Sequence, residues 1–433
     1  MNDEKERSES SNPKSKVYNQ KSFLSSVQSK STHPLNNALH LLPNLKFCGE
    51  PRNTLLSIPT DLLNYVLSIL KTDPTIPPRV PIDVWSNLLS ILNSHWILPL
   101  LYWHIGRLPD EFHPPKLILD QMRTAFQWSR SRCFNLERQL GEILTAFKDA
   151  GIRVLVMKGP ALGKMLYPDP ALRPASDLDI LVEPEQVVHS RAVLEDLGYQ
   201  CLGRRFEISR DFYNDELFVY PKNQKHNRQV ELHWDLHRFS GIARDVGVED
   251  LFDRATEVKA ELFSFEALDP IDALIHRAVS NAFDKGTSMR MIWVCDVKLL
   301  AEHLATPDDW RALQQRSVAW RARLAVEHSL KMARGWAGLQ LPKEFEDFSS
   351  WPEPTQTEVK AWSKITEKQP GLSGLLVLHM DSASSHLDKI KYYFNLLFPS
   401  PNYIRSSYPP TKDWLLPFSY VRRWWRWIKK PVA

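Results

Sequence analysis

Asp177 and Asp179 stand two residues apart in Asp177-Leu178-Asp179-Ile180-Leu181-Val182. Side chains alternate along an extended chain, so the two carboxylates share one face while Leu178, Ile180 and Val182 share the other. Paired acids with Cα atoms ~7 Å apart and rigid apolar backing converge on a divalent cation; Mg²⁺ takes a few hard carboxylate oxygens together with substrate phosphates. A second acidic strand lies downstream. Gln229-Val230-Glu231-Leu232-His233-Trp234 alternates in the same way, with Glu231 and His233 on one face and Val230, Leu232 and Trp234 on the other. Glu231 is the candidate third carboxylate. Taken alone, Asp-x-Asp equally suits a surface turn with two solvated acids, so its weight comes from what surrounds it.

The elements that must position these acids begin upstream. Ile152, Val154, Leu155 and Val156 form an apolar run that predicts a strand, ending at Lys158-Gly159. Pro160 and the spacing of Ala161, Leu162, Met165 and Leu166 suit the first turn and apolar face of a short helix. A glycine at such a turn lets backbone approach a ligand, and the helix start that follows attracts phosphate. Lys158 adds a mobile positive charge.

With these residues in view the chain resembles the uncharacterised bacterial nucleotidyltransferase family of the DNA polymerase β-type superfamily. The resemblance rests on Lys158-Gly159, Arg173, the segment from Ser176 to Val182, and Val230-Glu231-Leu232-His233-Trp234. It is clearest over about residues 115 to 300. It implies an α+β fold, a small mixed β-sheet core flanked by N- and C-terminal helical regions. It also implies Asp177, Asp179 and Glu231 as catalytic and metal-binding residues, with Lys158, Gly159, Arg173 and Ser176 on the nucleotide. Two positions depart from the superfamily pattern: the turn lacks its serine, and the third acid is Glu where Asp is usual, one methylene longer.

The expected reaction moves a nucleoside monophosphate from a triphosphate such as ATP to an acceptor hydroxyl and releases pyrophosphate, with Mg²⁺ or Mn²⁺ as cofactor. The acceptor, whether small molecule, glycan or protein, is not written in the residues. Two rivals come from other classes: a nucleotide-sensing module without turnover, which the missing serine permits, and a peripheral membrane scaffold built on the chain's C-terminal tail.

The rest of the chain sets the frame. With 433 residues, two or three domains and a sizeable core are expected. Hydrophobic residues at 43% and charged residues at 24% are ordinary for a soluble globular protein. The net charge of +4 is too small to indicate a nucleic-acid partner. Cys48, Cys133, Cys201 and Cys295 contain no Cys-x-x-Cys pair, which suits a reducing cytoplasm better than a disulfide framework or zinc knuckle. Residues 1–37 are polar and expected to be disordered. Residues 38–150 read as helical, 151–265 as the catalytic core, 266–413 as helical again, and 414–433 as a Trp/Arg-rich tail. Within the first helical region, Met122, Phe126, Leu136, Leu140, Ile143 and Phe147 belong to one long apolar stripe.

Sharper alternatives fall away. His233 and His237 have i,i+4 spacing without His-Glu-x-x-His, and neither a P-loop nor a Gly-x-Ser-x-Gly elbow occurs. Basic residues between Pro221 and Arg228 read as a solvated hairpin tip. His276 and Asp296 are expected to form a structural pair. No stretch of 18 uninterrupted apolar residues occurs and the opening MNDEKERSES has no apolar run, so neither a spanning helix nor a secretory signal is expected. The tail does mix Trp424, Trp425 and Trp427 with Arg422, Arg423, Arg426, Lys429 and Lys430, a combination that suits a bilayer interface with anionic headgroups.

Overall fold

The computed structural model describes residues 60–71, 82–202, 213–220, 228–237, 246–283, 290–366 and 412–429, with isolated positions between 390 and 408. The expected disordered tail, and the basic loop apart from Arg228, lie outside the described residues.

Helices α1 (Thr60–Leu70), α2 (Ile82–Ser94) and α3 (Leu98–Ile105) precede α4 (Lys116–Asp149), a helix of 34 residues. Pro115 sits just before α4, where a missing N–H costs nothing. The apolar stripe places Met122, Leu136, Leu140, Ile143 and Phe147 in the interior. The helix ends in a Schellman motif: the Gly151 amide donates to the Lys148 carbonyl at 3.0 Å and the Ile152 amide to the Phe147 carbonyl at 2.8 Å, with Gly151 at φ 69°. The chain is thereby delivered into the sheet.

Seven strands follow: β1 (Leu155–Val156), β2 (Leu178–Leu181), β3 (Gln200–Cys201), β4 (Asp215–Val219), β5 (Gln229–His233), β6 (Thr256–Lys259) and β7 (Ser264–Ala267). They form one mixed sheet in the order β3-β4-β5-β2-β1-β7-β6. Between them lie α5 (Pro160–Leu166), α6 (Val187–Asp196) and α7 (Val248–Asp253). The first strand is shorter than the apolar run predicts, because Ile152 and Val154 are held by packing rather than by ladder hydrogen bonds. Helices α8 (Pro270–Phe283), α9 (Met291–Glu302), α10 (Pro307–Ala319), α11 (Arg323–Ala337), α12 (Gln356–Thr366) and α13 (Leu416–Lys429) follow the sheet, with short 3₁₀ turns between elements and one, Asp413–Leu415, leading into α13. The fold is thus the expected α+β arrangement of a small mixed sheet with helices on both sides in sequence.

Two apolar clusters divide the interior. Val156, Leu178, Ile180, Val182, Val230 and Leu232 pack with Leu136, Leu140, Ile143 and Phe147 of α4. Leu155, Met157 and Leu181, from the opposite side of the same strands, join a larger cluster. That cluster unites α1 to α3 with α8 to α11, so the two helical regions share one core. Strand alternation puts Asp179 on the side of Leu181, the side that faces this helical core.

Candidate active site

Strand β2 is central, and its pairing with β5 is parallel, with Asp179 opposite Glu231 and Leu181 opposite His233. Adjacent positions on neighbouring strands bring Cβ atoms within ~5 Å on one face, so two acids 52 positions apart in sequence become neighbours. One ligand atom each from Asp179, Glu231 and His233 lies within 4.8 Å of the others. On the far side of β2, antiparallel β1 leads to Lys158, whose Nζ reaches Asp179 Oδ1 at 2.7 Å. His233 Nε2 lies 3.3 Å from Asp179 Oδ1 and 3.6 Å from Glu231 Oε2.

The electrostatics follow from burial set against these contacts. Asp179 is only 3% exposed; burial alone would raise its pKa, yet Lys158 and His233 hold it well below the usual carboxylate range. His233 shows the converse: burial disfavours its charge, but the hydrogen bonds it donates to Asp179 and Glu231 push its pKa up to about 9. The Lys158 ammonium is likewise held charged against its burial by Asp179 and Glu231. Asp177, one residue before β2, accepts a hydrogen bond from the Ser176 hydroxyl at 3.1 Å. Burial, together with the charges of Asp179 and Glu231, pushes its carboxyl up to about 6. Asp177 therefore belongs to the same field as the other two acids. Two cations and three carboxyls in one place form a donor set of hard oxygens whose negative charge is balanced by Lys158 and His233, and such a set suits a divalent ion.

The Lys-Gly turn is built by close approach. Gly159 adopts φ 58°, ψ −114°, a conformation reserved for glycine. A Cβ there would stand 3.2 Å from the Asp177 carbonyl oxygen, so the absent side chain is what lets the turn lie against the acidic segment. The helix start after it offers less to a ligand than its sequence promises. Proline supplies no N–H at 160, and the Ala161 and Gly163 amides donate to the Lys158 and Gly159 carbonyls at 3.2 and 3.1 Å.

Arg173, expected on the nucleotide, is committed elsewhere. Its Nε and Nη2 each donate to Asp296 at 2.9 Å, and Nη1 donates to the Gly159 carbonyl at 3.3 Å. Asp296 also accepts from the Tyr167 hydroxyl at 2.9 Å. Arg173 thus anchors the Gly159 turn to α9. The expected pairing of Asp296 with His276 is not what forms: Arg173 offers a bidentate match to a carboxylate, and His276 Nδ1 meets His237 Nε2 at 3.0 Å instead. Burial, then Lys158 and other nearby cationic groups, keep both imidazoles well below the ordinary histidine range. Ser176 is exposed at the rim, and Arg132 of α4 donates to its carbonyl. His233 had a sequence signal, since alternation places it beside Glu231. Tyr167 had none.

A mixed sheet that sets acids from two adjoining strands beside a Lys-Gly turn defines a protein of the nucleotidyltransferase type. The chain belongs to the uncharacterised nucleotidyltransferase family, whose sequence profile matches residues 83–338. It is also similar to the crystal structure of an antigenic nucleotidyltransferase-like protein from Paracoccidioides brasiliensis. That likeness is at 12% identity over 44% of this chain and 90% of the other, with a TM-score of 0.26. No curated protein matches the sequence.

Proposed function

We propose that the chain is a metal-dependent nucleotidyltransferase that moves a nucleoside monophosphate from a nucleoside triphosphate, ATP among the candidates, to an acceptor hydroxyl. The observation that carries this is the parallel register that sets Asp179 beside Glu231, two carboxylates from two strands at one place. Asp179 and Glu231 would hold the ion, with Asp177 completing the set; Mg²⁺ or Mn²⁺ would neutralise the triphosphate and lower the pKa of the acceptor hydroxyl. Lys158, whose Nζ lies 2.7 Å from Asp179 Oδ1, would meet the phosphate oxygens beside that carboxylate. The Gly159 backbone shapes the turn on which they rest, Arg173 fixes that turn through Asp296, and Ser176 lines the rim. The acceptor oxygen attacks the α-phosphorus as the bond to the bridging oxygen breaks. Pyrophosphate leaves, and Glu231 takes the hydroxyl proton. Scattered cysteines suit a cytoplasmic setting.

Purified protein incubated with each α-labelled nucleoside triphosphate and Mg²⁺ tests the proposal. Transfer of label by the wild type, falling at least about a thousandfold in Asp179→Asn and Glu231→Gln, is expected, since both substitutions remove the charge that holds the ion. Nucleotide binding without transfer would assign the chain a sensing role. Neither binding nor transfer would remove the enzymatic account.

A further inference from the structure

The C-terminal helix α13 is turned inside out relative to an ordinary surface helix. Ser419 and Arg423 are 5% and 4% exposed, while Trp414, Phe418, Val421 and Trp425 are 70%, 64%, 53% and 57% exposed. Spacings of four, three and four place these last four on one face, with Trp414 in the 3₁₀ turn that leads into the helix. An amphipathic surface helix normally buries its apolar stripe against the core. The opposite side of α13 is held in place: the Trp424 indole donates to the Leu397 carbonyl at 2.8 Å and the Tyr420 hydroxyl to the Pro399 carbonyl at 2.7 Å. Phe398 stacks on both rings, edge-on to Trp424 at 5.2 Å. Contiguous exposed apolar surface of this kind marks an interaction site.

Charge selects the occupant. Arg422 is exposed beside the stripe and Lys412 just before it. From Lys412 to Lys430 the sequence carries six basic residues against a single acid, Asp413. A row of large aromatics flanked by cations matches the headgroup boundary of an anionic bilayer, where Trp and Phe enter the acyl edge and Arg and Lys meet phosphate. No helix among the described residues is long and apolar enough to cross a membrane, so the contact is with the surface. We propose that α13 docks the protein on anionic phospholipid bilayers through Trp414, Phe418 and Val421, with Arg422 and Lys412 on the headgroups.

The test is co-sedimentation of the full chain with phosphatidylcholine vesicles, alone or containing about a third phosphatidylserine, at low and high salt. Expected is binding to the phosphatidylserine vesicles that weakens with salt, with little binding to phosphatidylcholine alone. Phe418→Ser and Trp414→Ser should each lower the partition coefficient about tenfold or more, and Arg422→Gln about fivefold. All three positions are exposed, so thermal unfolding should match the wild type. Failure to bind anionic vesicles, or binding that Phe418→Ser leaves unchanged, would overturn the proposal. So would a wild-type dimer in lipid-free solution that Phe418→Ser makes monomeric, which would assign the face to a second copy. None of these outcomes depends on nucleotide transfer.

Discussion

At the scale of single residues the site is a balance of charges that an ion would reset. Asp179 is already ionised and paired with Lys158, whereas Asp177 keeps its proton up to about pH 6 because burial and two neighbouring carboxylates oppose its charge. A divalent ion must displace that proton, so affinity for Mn²⁺ should rise as pH increases through about 6, with protons released on binding below that pH. Calorimetry in buffers of different ionisation enthalpy measures both; affinity flat between pH 5 and 7 would exclude Asp177 from the set. Asp296 offers a second test. Its two oxygens satisfy the buried Arg173 guanidinium, and Asp296→Ala would leave that charge alone in the interior, at a cost of about 3–5 kcal/mol by denaturant unfolding. The same substitution loosens the Gly159 turn, so nucleotide affinity should fall as well.

At the scale of elements, the helical layer contains an acid whose ionisation works against the fold. Glu358, in the first turn of α12, accepts a hydrogen bond from the Leu324 amide at 2.6 Å and thereby caps the start of α11. Burial nevertheless outweighs the cap and raises its carboxyl from the ordinary 4.5 to about 7. The folded state therefore holds this proton more tightly than the unfolded chain. Stability from this group is fully present below about pH 4.5 and is lost as pH rises through about 7. Glu358→Gln keeps the accepting oxygen without the charge, so it should melt higher than the wild type at pH 8 and show a flatter pH profile. Equal melting temperatures at pH 8 would show that the carboxylate is solvated.

At the scale of the whole molecule, the helices before and after the sheet are one body of apolar side chains. Trp85 of α2 is fully buried in the cluster that also contains Leu274, Val297 and Leu330. Trp85→Ala should cost about 3–5 kcal/mol. The loss should appear in the unfolding of the C-terminal helices too, read by hydrogen exchange in α8 and α11. Protection in those helices unchanged by the substitution would mean that the two regions unfold separately.

Much of the site could be read from the chain because strand alternation is a local rule. It placed Asp177 with Asp179, and Glu231 with His233, and the Lys-Gly turn followed from composition and spacing. The length of α4 followed from its apolar stripe. What local rules could not reach were contacts whose partners lie far apart in sequence. The family resemblance put Arg173 on the nucleotide, yet Asp296, 123 positions away, holds it in two hydrogen bonds. Tyr167 carried no signal for the same reason. By itself the sequence determined which acids share a strand face and which helices have an apolar stripe, since both depend only on the period of the backbone. Only the tertiary structure decided that Asp179 and Glu231 stand side by side, that Arg173 serves the turn, and that α13 shows its aromatic face to solvent. Strand register, ion-pair choice and helix orientation are settled by which distant groups compete for the same buried space.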